Sequence, residues 1–344
     1  MGEMPLHEDP AGLSRGERFL LNAVRGGDTE KSFLQATAEG LAARPRSLPC
    51  RFFYDERGSK LFEEITQLPE YYPTRVELGI LEERAHEIAA IFDEPTELVE
   101  LGSGSAAKTR QLIRELIQRH GSLRFRPIDI SPSILESSSR ALLADYPELT
   151  VHALAGEYEA GLREIEHAGS HRPRLFVWLG SSIGNLTCDE ACAFLQRLRK
   201  TLRPQDRLLV GIDRRKAPET LLAAYDDAAG ITAEFNRNLL LRANRELEAD
   251  FDLSQFQHQA VWLEEPGRVE MHLVSLCQQR VQVKALDTTF DFDAGETLHT
   301  ENSHKYSPDE IDDLAGRSGL VRTRSWQDAA SWFELSMFQT EADR

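Results

Sequence analysis

The sequence is poor in cysteine, in basic charge and in long apolar runs, and each shortage excludes a class of protein. Its 344 residues include four cysteines, Cys50, Cys188, Cys192 and Cys277, with no Cys-x-x-Cys pairing. A disulfide scaffold or cysteine-based metal site does not fit that count, and all four read as reduced, mostly packing residues. Lys and Arg total 40 against 57 Asp and Glu, a net charge of −17. That is a poor surface for nucleic acid or an anionic membrane. No apolar run approaches membrane-spanning length. Met1 to Pro10 is polar and acidic, unlike a signal peptide. A soluble, cytoplasmic protein without nucleic-acid or membrane partners is expected. The length suits one large domain or two interlocked ones.

What is present centres on Glu97-Leu-Val-Glu-Leu-Gly102-Ser-Gly104-Ser-Ala-Ala-Lys108-Thr109. It begins apolar and β-rich, breaks into small residues, and continues into Arg110 to Ile117, where Leu112, Ile113, Leu116 and Ile117 recur at helical spacing. Strand, glycine loop and amphipathic helix follow. Gly102 and Gly104 let a ligand approach the loop N–H groups, and the helix start adds a positive dipole end. The spacing also fits Gly-x-Gly-x-x-Ala, so a dinucleotide fold has to be weighed. Asp129, at the end of the next strand, favours another ligand. An Asp there can take both hydroxyls of a ribose, a grip that S-adenosylmethionine (SAM) needs although it has no pyrophosphate to cradle.

Strands and helices alternate from there, the pattern of a parallel sheet with helices on both faces. Strands are expected near 96–101, 124–130, 149–154, 174–179 and 207–212. Polar or glycine-rich residues stand at their carboxyl ends, where open α/β sheets bind ligands. Before this series lie a loose arm over 1–29, a helix over 32–43 and an aromatic stretch with Phe52, Phe53, Tyr54, Phe62, Tyr71 and Tyr72. Such a stretch reads as a packing clamp or as a ligand lid. A helix over 77–92 leads into the first strand. After Asp213 come helices over 219–230 and 233–246, then an antiparallel meander from 259 onward. A helix over 308–318 and two strands, 321–326 and 332–338, close the chain. The terminal antiparallel hairpin suits a methyltransferase better than a dehydrogenase, by analogy of fold.

Several long segments resemble the SAM-dependent histidine Nα-methyltransferases of ergothioneine biosynthesis. They are Phe53-Tyr-Asp-Glu-Arg-Gly-Ser-Lys-Leu-Phe-Glu-Glu-Ile-Thr66, Leu68-Pro-Glu-Tyr-Tyr-Pro-Thr-Arg75, Glu100-Leu-Gly-Ser-Gly104 with Lys108-Thr109, Gly180-Ser-Ser-Ile-Gly-Asn-Leu186, and Ala224 to Asn238. The resemblance runs in family order from about Pro49 to the end. It implies an α/β, Rossmann-like class I SAM methyltransferase domain (75–213 with 304–344) and a second, α+β substrate-binding domain (30–74 with 214–303). It implies SAM as cofactor, no metal, and a monomer acting on a small molecule, L-histidine, with trimethylhistidine (hercynine) as product. Cofactor positions fall on Tyr71, Gly102, Lys108, Asp129, Glu157 and Tyr158; at the last two the family usually has Asp and Phe. Substrate positions fall on Tyr54, Phe62, Gly180, Asn185, Tyr225, Met271, Glu301 and Ser303.

The chemistry of these residue types agrees. Methyl transfer from a sulfonium to an amine needs a neutral lone pair on the S–CH₃ axis, so positioning dominates. Tyr54 and the Gly180 carbonyl are expected to orient the amine. Asn185 and Tyr225 can donate to the carboxylate, and Glu301 and Ser303, two apart on an extended segment, can pair with both imidazole nitrogens. Blander roles exist for each: Asn185 as a cap for a helix near Thr187, Tyr225 as a packing ring, Glu301 as a solvated charge. His299, Glu301 and His304 lack a third firm partner for a metal. A methyltransferase for another amino acid or indole, a nicotinamide dehydrogenase, and a non-catalytic SAM-binding module are the rival readings. An acid facing an indole would go unpaired, which favours histidine.

Overall fold

The structure is a computed structural model that describes residues 18–24 and 32–341. Its strands are β1 (Phe19–Ala23), β2 (Arg46–Ser47), β3 (Glu97–Leu101), β4 (Leu123–Asp129), β5 (Leu149–Ala155), β6 (Arg174–Trp178), β7 (Arg207–Asp213), β8 (Phe256–Leu263), β9 (Arg268–Ser275), β10 (Gln279–Val283), β11 (Thr288–Phe292), β12 (Thr297–His304), β13 (Leu320–Gln327) and β14 (Phe333–Thr340). Its helices are α1 (Phe33–Ala42), α2 (Glu56–Thr66), α3 (Tyr72–Ala89), α4 (Arg110–His120), α5 (Pro132–Asp145), α6 (Tyr158–His167), α7 (Cys188–Thr201), α8 (Pro218–Tyr225), α9 (Ile231–Glu246) and α10 (Pro308–Arg317).

Eight strands form one sheet in the order β1-β5-β4-β3-β6-β7-β14-β13. The first six are parallel, while β14 runs antiparallel to both β7 and β13. Every residue of β3 and β6 is buried, as expected for central parallel strands covered on both faces. Strand order reverses at β3, so a crevice opens beyond its carboxyl end, where Gly102 to Lys108 lie. Capping boxes at Thr187 and Ser307 start α7 and α10, with two acidic residues in each first turn. Gly121, in the left-handed region, ends α4.

One core lies on each face of this sheet. A third gathers residues from 33 to 72 with residues from 221 to 298, around the small sheet β2-β12-β9-β8 and the β10–β11 ribbon. The expected meander thus divides into two sheets, with β12 returning beside β9 and β2 on its far edge. The chain leaves the large sheet after Asp213 and returns at 304–306. The two crossings run side by side: Tyr306 N–H donates to the Asp213 carbonyl at 3.0 Å, and Arg215 N–H to the Tyr306 carbonyl at 3.3 Å.

Two local expectations change. The arm over 1–29 contains an edge strand, since Phe19 to Ala23 pair in parallel register with Val151 to Ala155. Three apolar residues, Phe19 to Leu21, lie in this strand, and Arg18 anchors it on the Leu143 and Tyr146 carbonyls, each at 3.1 Å. The rest of that arm, 1–17 and 25–29, lies outside the described residues. The helix expected over 219–230 stops at Tyr225. Asp227 turns back to accept from Ile231 N–H at 3.0 Å and Thr232 N–H at 2.7 Å, so it opens α9 instead of extending α8.

Gly211, in the middle of β7, shows how tightly the sheet is fitted to α3. A Cβ there would lie 1.9 Å from Glu77 Oε1 and 3.2 Å from the Phe333 ring. Glu77 cannot yield freely, because it accepts from Lys108 Nζ and from Gly180 N–H at 2.9 Å. Gly211→Ala should lower unfolding stability by about 1–3 kcal/mol, the scale of overpacking a close-fitted interior. Gly79→Ala, in the same helix with nothing within 4 Å of its added methyl, should be neutral or stabilising. Denaturant titration of both variants checks this; equal stability in the two would show that Glu77 is not pinned.

Candidate active site

Five of the residues expected on the cofactor side, Gly102, Lys108, Asp129, Glu157 and Tyr158, lie at or just beyond the carboxyl ends of β3, β4 and β5. Gly102 takes a φ of +73°, and Tyr158, at the start of α6, reaches over it: a Cβ on Gly102 would lie 2.6 Å from the Tyr158 hydroxyl. Gly104 has nothing within 4 Å of its missing side chain, so the loop is open on that side. Asp129 accepts from Gly104 N–H and from Ser131 N–H, both at 2.9 Å. Burial pushes its carboxyl up, against the pull of those N–H donors. Each carboxylate oxygen keeps a further lone pair for a ribose hydroxyl. Glu157 precedes α6 and pairs with Arg51 at 3.3 Å. Lys108 is one-fifth exposed and its ammonium is held by the fully buried Glu77. An open glycine loop, a carboxylate at the next strand end and a tethered lysine fit a nucleoside bearing a charged amino-acid tail.

Beyond β6 the chain turns sharply at Gly180, with a φ of +74°. Its N–H donates to Glu77, so the same carboxylate holds Lys108 and this turn. A 3₁₀ turn, Ser182–Asn185, follows. Gly184 lets that turn lie directly on the returning chain: a Cβ there would sit 2.7 Å from the His304 carbonyl. Asn185 is half-buried at the end of the turn, and it does not cap α7; Thr187 does, accepting from Glu190 N–H at 3.3 Å.

Four of the expected substrate-side residues, Phe62, Tyr225, Met271 and Glu301, line one cavity in the third core. Phe62, Tyr71, Tyr225, Met271 and Glu301 form its wall, with Ile65, Ala224, Thr232 and Phe235. Tyr71, expected beside the cofactor, also lines this cavity, its ring 6.3 Å from that of Tyr225. Tyr54 packs edge-on against Phe62 at 5.6 Å and against Phe235 at 5.8 Å. Met271 and Glu301 are cross-strand partners, just past a bulge between His299 and Glu301. The bulge re-aims the strand, and the regular stretch after it puts Glu301 and Ser303 on one face. Burial pushes the Glu301 carboxyl up to about 7, with Lys305 pulling the other way. Burial, then the Glu301 charge, holds the Tyr54 phenol well above its ordinary value.

A buried charge cluster behind Ser303 has no counterpart in the residues singled out from sequence. Lys305, fully buried, donates to Tyr225 Oη at 2.9 Å, to Ser303 Oγ at 2.8 Å and to Asp213 Oδ2 at 2.8 Å. The Tyr225 and Ser303 hydroxyls lie 2.6 Å apart. Asp213, also fully buried, accepts from Tyr72 Oη at 2.7 Å and from Lys216 Nζ. Burial works against the Asp213 charge, but Lys305 and Lys216 together hold its carboxyl below the ordinary range. Burial also lowers Lys216 to about 8, with Asp213 opposing. The only sequence signal for this cluster is that Asp213 ends a strand and Lys305 follows Ser303 by two residues.

The Glu301 shift has a measurable sign. Its carboxyl rises from an ordinary 4.5 to about 7 in the fold. Between those values the folded protein holds a proton that the unfolded chain has lost, so its contribution to stability falls as pH rises through that window. Glu301→Gln removes this dependence. In the ligand-free protein the variant should gain thermal stability over wild type as pH rises from about 4.5 to about 7, and the gain should level off above that. Melting curves of both proteins across this range check the sign; a gain that shrinks with pH would contradict it.

A sequence profile described as histidine-specific methyltransferase, SAM-dependent, matches residues 33–340. The chain is 47% identical to the histidine N-alpha-methyltransferase of Mycobacterium tuberculosis over 298 residues, 87% of this chain and 92% of that protein. It is 45% identical to the enzyme of the same name from Mycolicibacterium smegmatis, over 92% of this chain and 98% of that one. More distantly, it is 30% identical to an L-tryptophan methyltransferase of Psilocybe serbica, over 87% of this chain and 90% of the relative. A match over nearly the whole described chain, with two relatives at 45–47% identity, shows that the chain belongs to the SAM-dependent, histidine-specific methyltransferase family.

Proposed function

We propose that this enzyme transfers three methyl groups in succession to the α-amino nitrogen of L-histidine, giving Nα,Nα,Nα-trimethylhistidine. The observation that carries the reading is the cavity wall where Glu301 stands opposite Met271 in an otherwise largely apolar enclosure, two residues from Ser303. An aromatic side chain without ring nitrogens would leave that carboxyl unpaired, whereas an imidazole offers it a donor or an acceptor.

SAM, when bound, supplies an electrophilic methyl group on a sulfonium. Asp129, the Gly102–Gly104 loop and Lys108 would hold it, with Glu157 and Tyr158 toward the adenine end. Asn185 and Tyr225 hold the histidine carboxylate, and Glu301 and Ser303 hold the imidazole. The α-amino group is mostly protonated at neutral pH and must lose its proton before its lone pair can attack. Tyr54 stays a neutral phenol across the working range, since its ionisation is pushed far up. It therefore orients the amine as a hydrogen-bond partner and is not a resident anionic base. The carbonyl of Gly180 offers a second acceptor for the amine N–H, and the Gly180 N–H bonds to Glu77 fix its peptide.

The direct test combines enzyme, SAM and histidine with mass detection. Products heavier by one, two and three methyl groups should appear in sequence, the last accumulating. Glu301→Leu should lower kcat/KM for histidine by about a hundredfold, the scale of a lost charge-assisted bond, and weaken discrimination against tryptophan. SAM affinity by calorimetry should stay near wild type. If Glu301→Leu and Ser303→Ala both leave histidine turnover intact, or wild type methylates tryptophan faster than histidine, the histidine reading fails while the family assignment stands.

A further inference from the structure

Lys305 lies behind the hydroxyl of Tyr225, which lines the substrate cavity, and that of Ser303 beside it, and its three N–H groups are fully allocated. Tyr225 Oη, Ser303 Oγ and Asp213 Oδ2 stand at 2.9, 2.8 and 2.8 Å from Nζ. An ammonium has three donors and no acceptor, so both hydroxyl oxygens receive a proton from it. The two hydroxyls carry one proton each, and their 2.6 Å contact uses one of the two. A single proton is left to point at a ligand.

That count ties the two ends of the substrate together. A carboxylate only accepts, so when Tyr225 binds it the free proton is Tyr225's, and the mutual bond runs from Ser303 to Tyr225. Ser303 then meets the other end of the substrate with a lone pair. It takes an imidazole N–H and turns away a bare ring nitrogen. We propose that Lys305 is a positioning residue for substrate selection, which orders the Tyr225–Ser303 pair so that Tyr225 donates to the amino-acid carboxylate and Ser303 accepts from the imidazole. The inference rests on the histidine reading above and adds to it a residue that touches no substrate atom.

The cost of losing Lys305 follows from its third bond. Asp213 would keep Tyr72 and Lys216 as partners, so its charge would not be abandoned. Its Oδ2 would lose Lys305 and become an acceptor behind the hydroxyl pair. Tyr225 or Ser303 could then turn its proton backward onto Asp213, away from the cavity. Loss of the lysine should therefore harm histidine binding at both ends and leave the SAM crevice alone. The SAM crevice is held by other residues, Glu77 and Asp129 among them.

The test is the split between the two substrates in the full-length enzyme. Lys305→Met should raise KM for histidine by about tenfold or more, the scale of one hydrogen bond to a charged group. The SAM dissociation constant by calorimetry should stay within about twofold of wild type. In a Tyr225→Phe, Ser303→Ala background the same change should raise histidine KM no further, because the pair it acts through is gone. Lys305→Arg is the second variant, for the case in which the methionine variant does not fold. It keeps the charge, but a planar guanidinium cannot reproduce one ammonium placed on three oxygens, so it too should raise histidine KM selectively. An unchanged histidine KM in either variant overturns the inference, as does a parallel loss of SAM affinity or a full additional effect in the double-variant background. Failure of wild type to methylate histidine would instead overturn the reading on which it rests.

Discussion

The buried pair of Asp213 and Lys305 is the constraint on which the site depends. It sits where the chain leaves the large sheet and where it comes back, and both side chains are fully buried. Removing one partner of such a pair typically costs about 3–5 kcal/mol, because a charge is left in a poorly solvating interior. Here Tyr72 and Lys216 share the Asp213 carboxylate, and Ser303 and Tyr225 share the Lys305 ammonium. The pair thus fixes the two crossings against each other and fixes the hydroxyls of Tyr225 and Ser303. An apolar pair could lock the crossings as firmly, but it could not dictate which way a hydroxyl proton points.

Glu77 does for the cofactor side what Asp213 does for the substrate side. It lies on α3, far in sequence from both groups it binds, and one carboxylate accepts from Lys108 and from the Gly180 peptide. In-line transfer tolerates little misplacement between donor methyl and acceptor nitrogen. A shared anchor for Lys108 and the Gly180 turn keeps their separation from drifting independently. Gly211 is the condition for this, since any side chain there would occupy the space of the Glu77 carboxylate.

Much of this architecture is legible in the sequence. The alternation of apolar strands and amphipathic helices places the parallel sheet, and the glycine loop with Asp129 places its ligand end. Long segments shared with the family name candidate site residues, and four of them, Phe62, Tyr225, Met271 and Glu301, line one cavity. What sequence did not yield is of one kind. Glu77, Asp213, Lys216 and Lys305 act through contacts between distant parts of the chain, and a lone charged residue reads by default as exposed. Nothing in the local pattern around Lys305 marks it as buried. The β1 strand escaped because its five residues stand apart from the alternating series and pair with a strand some 130 positions away.

The arrangement also bears on how one pocket can serve three successive acceptors. Each transfer replaces an N–H on the amine with a methyl group, so any acceptor aimed at that nitrogen loses a partner as the reaction proceeds. In the proposed arrangement Tyr54 and the Gly180 carbonyl are such acceptors, and their grip must weaken with each round. The carboxylate and imidazole ends are unaltered by methylation, and the proposal places the Lys305 cluster and Glu301 there. Concentrating binding at those ends keeps monomethyl and dimethyl intermediates in register while the nitrogen becomes bulkier and poorer in donors. The aromatic wall of Tyr54, Phe62 and Phe235 suits the same need, since ring faces tolerate added methyl groups and lose no hydrogen bond to them. A cationic trimethylammonium product would in addition find ring electrons in place of a lost N–H partner. Selection by the far ends and tolerance at the reacting end are therefore two consequences of one distribution of polar groups.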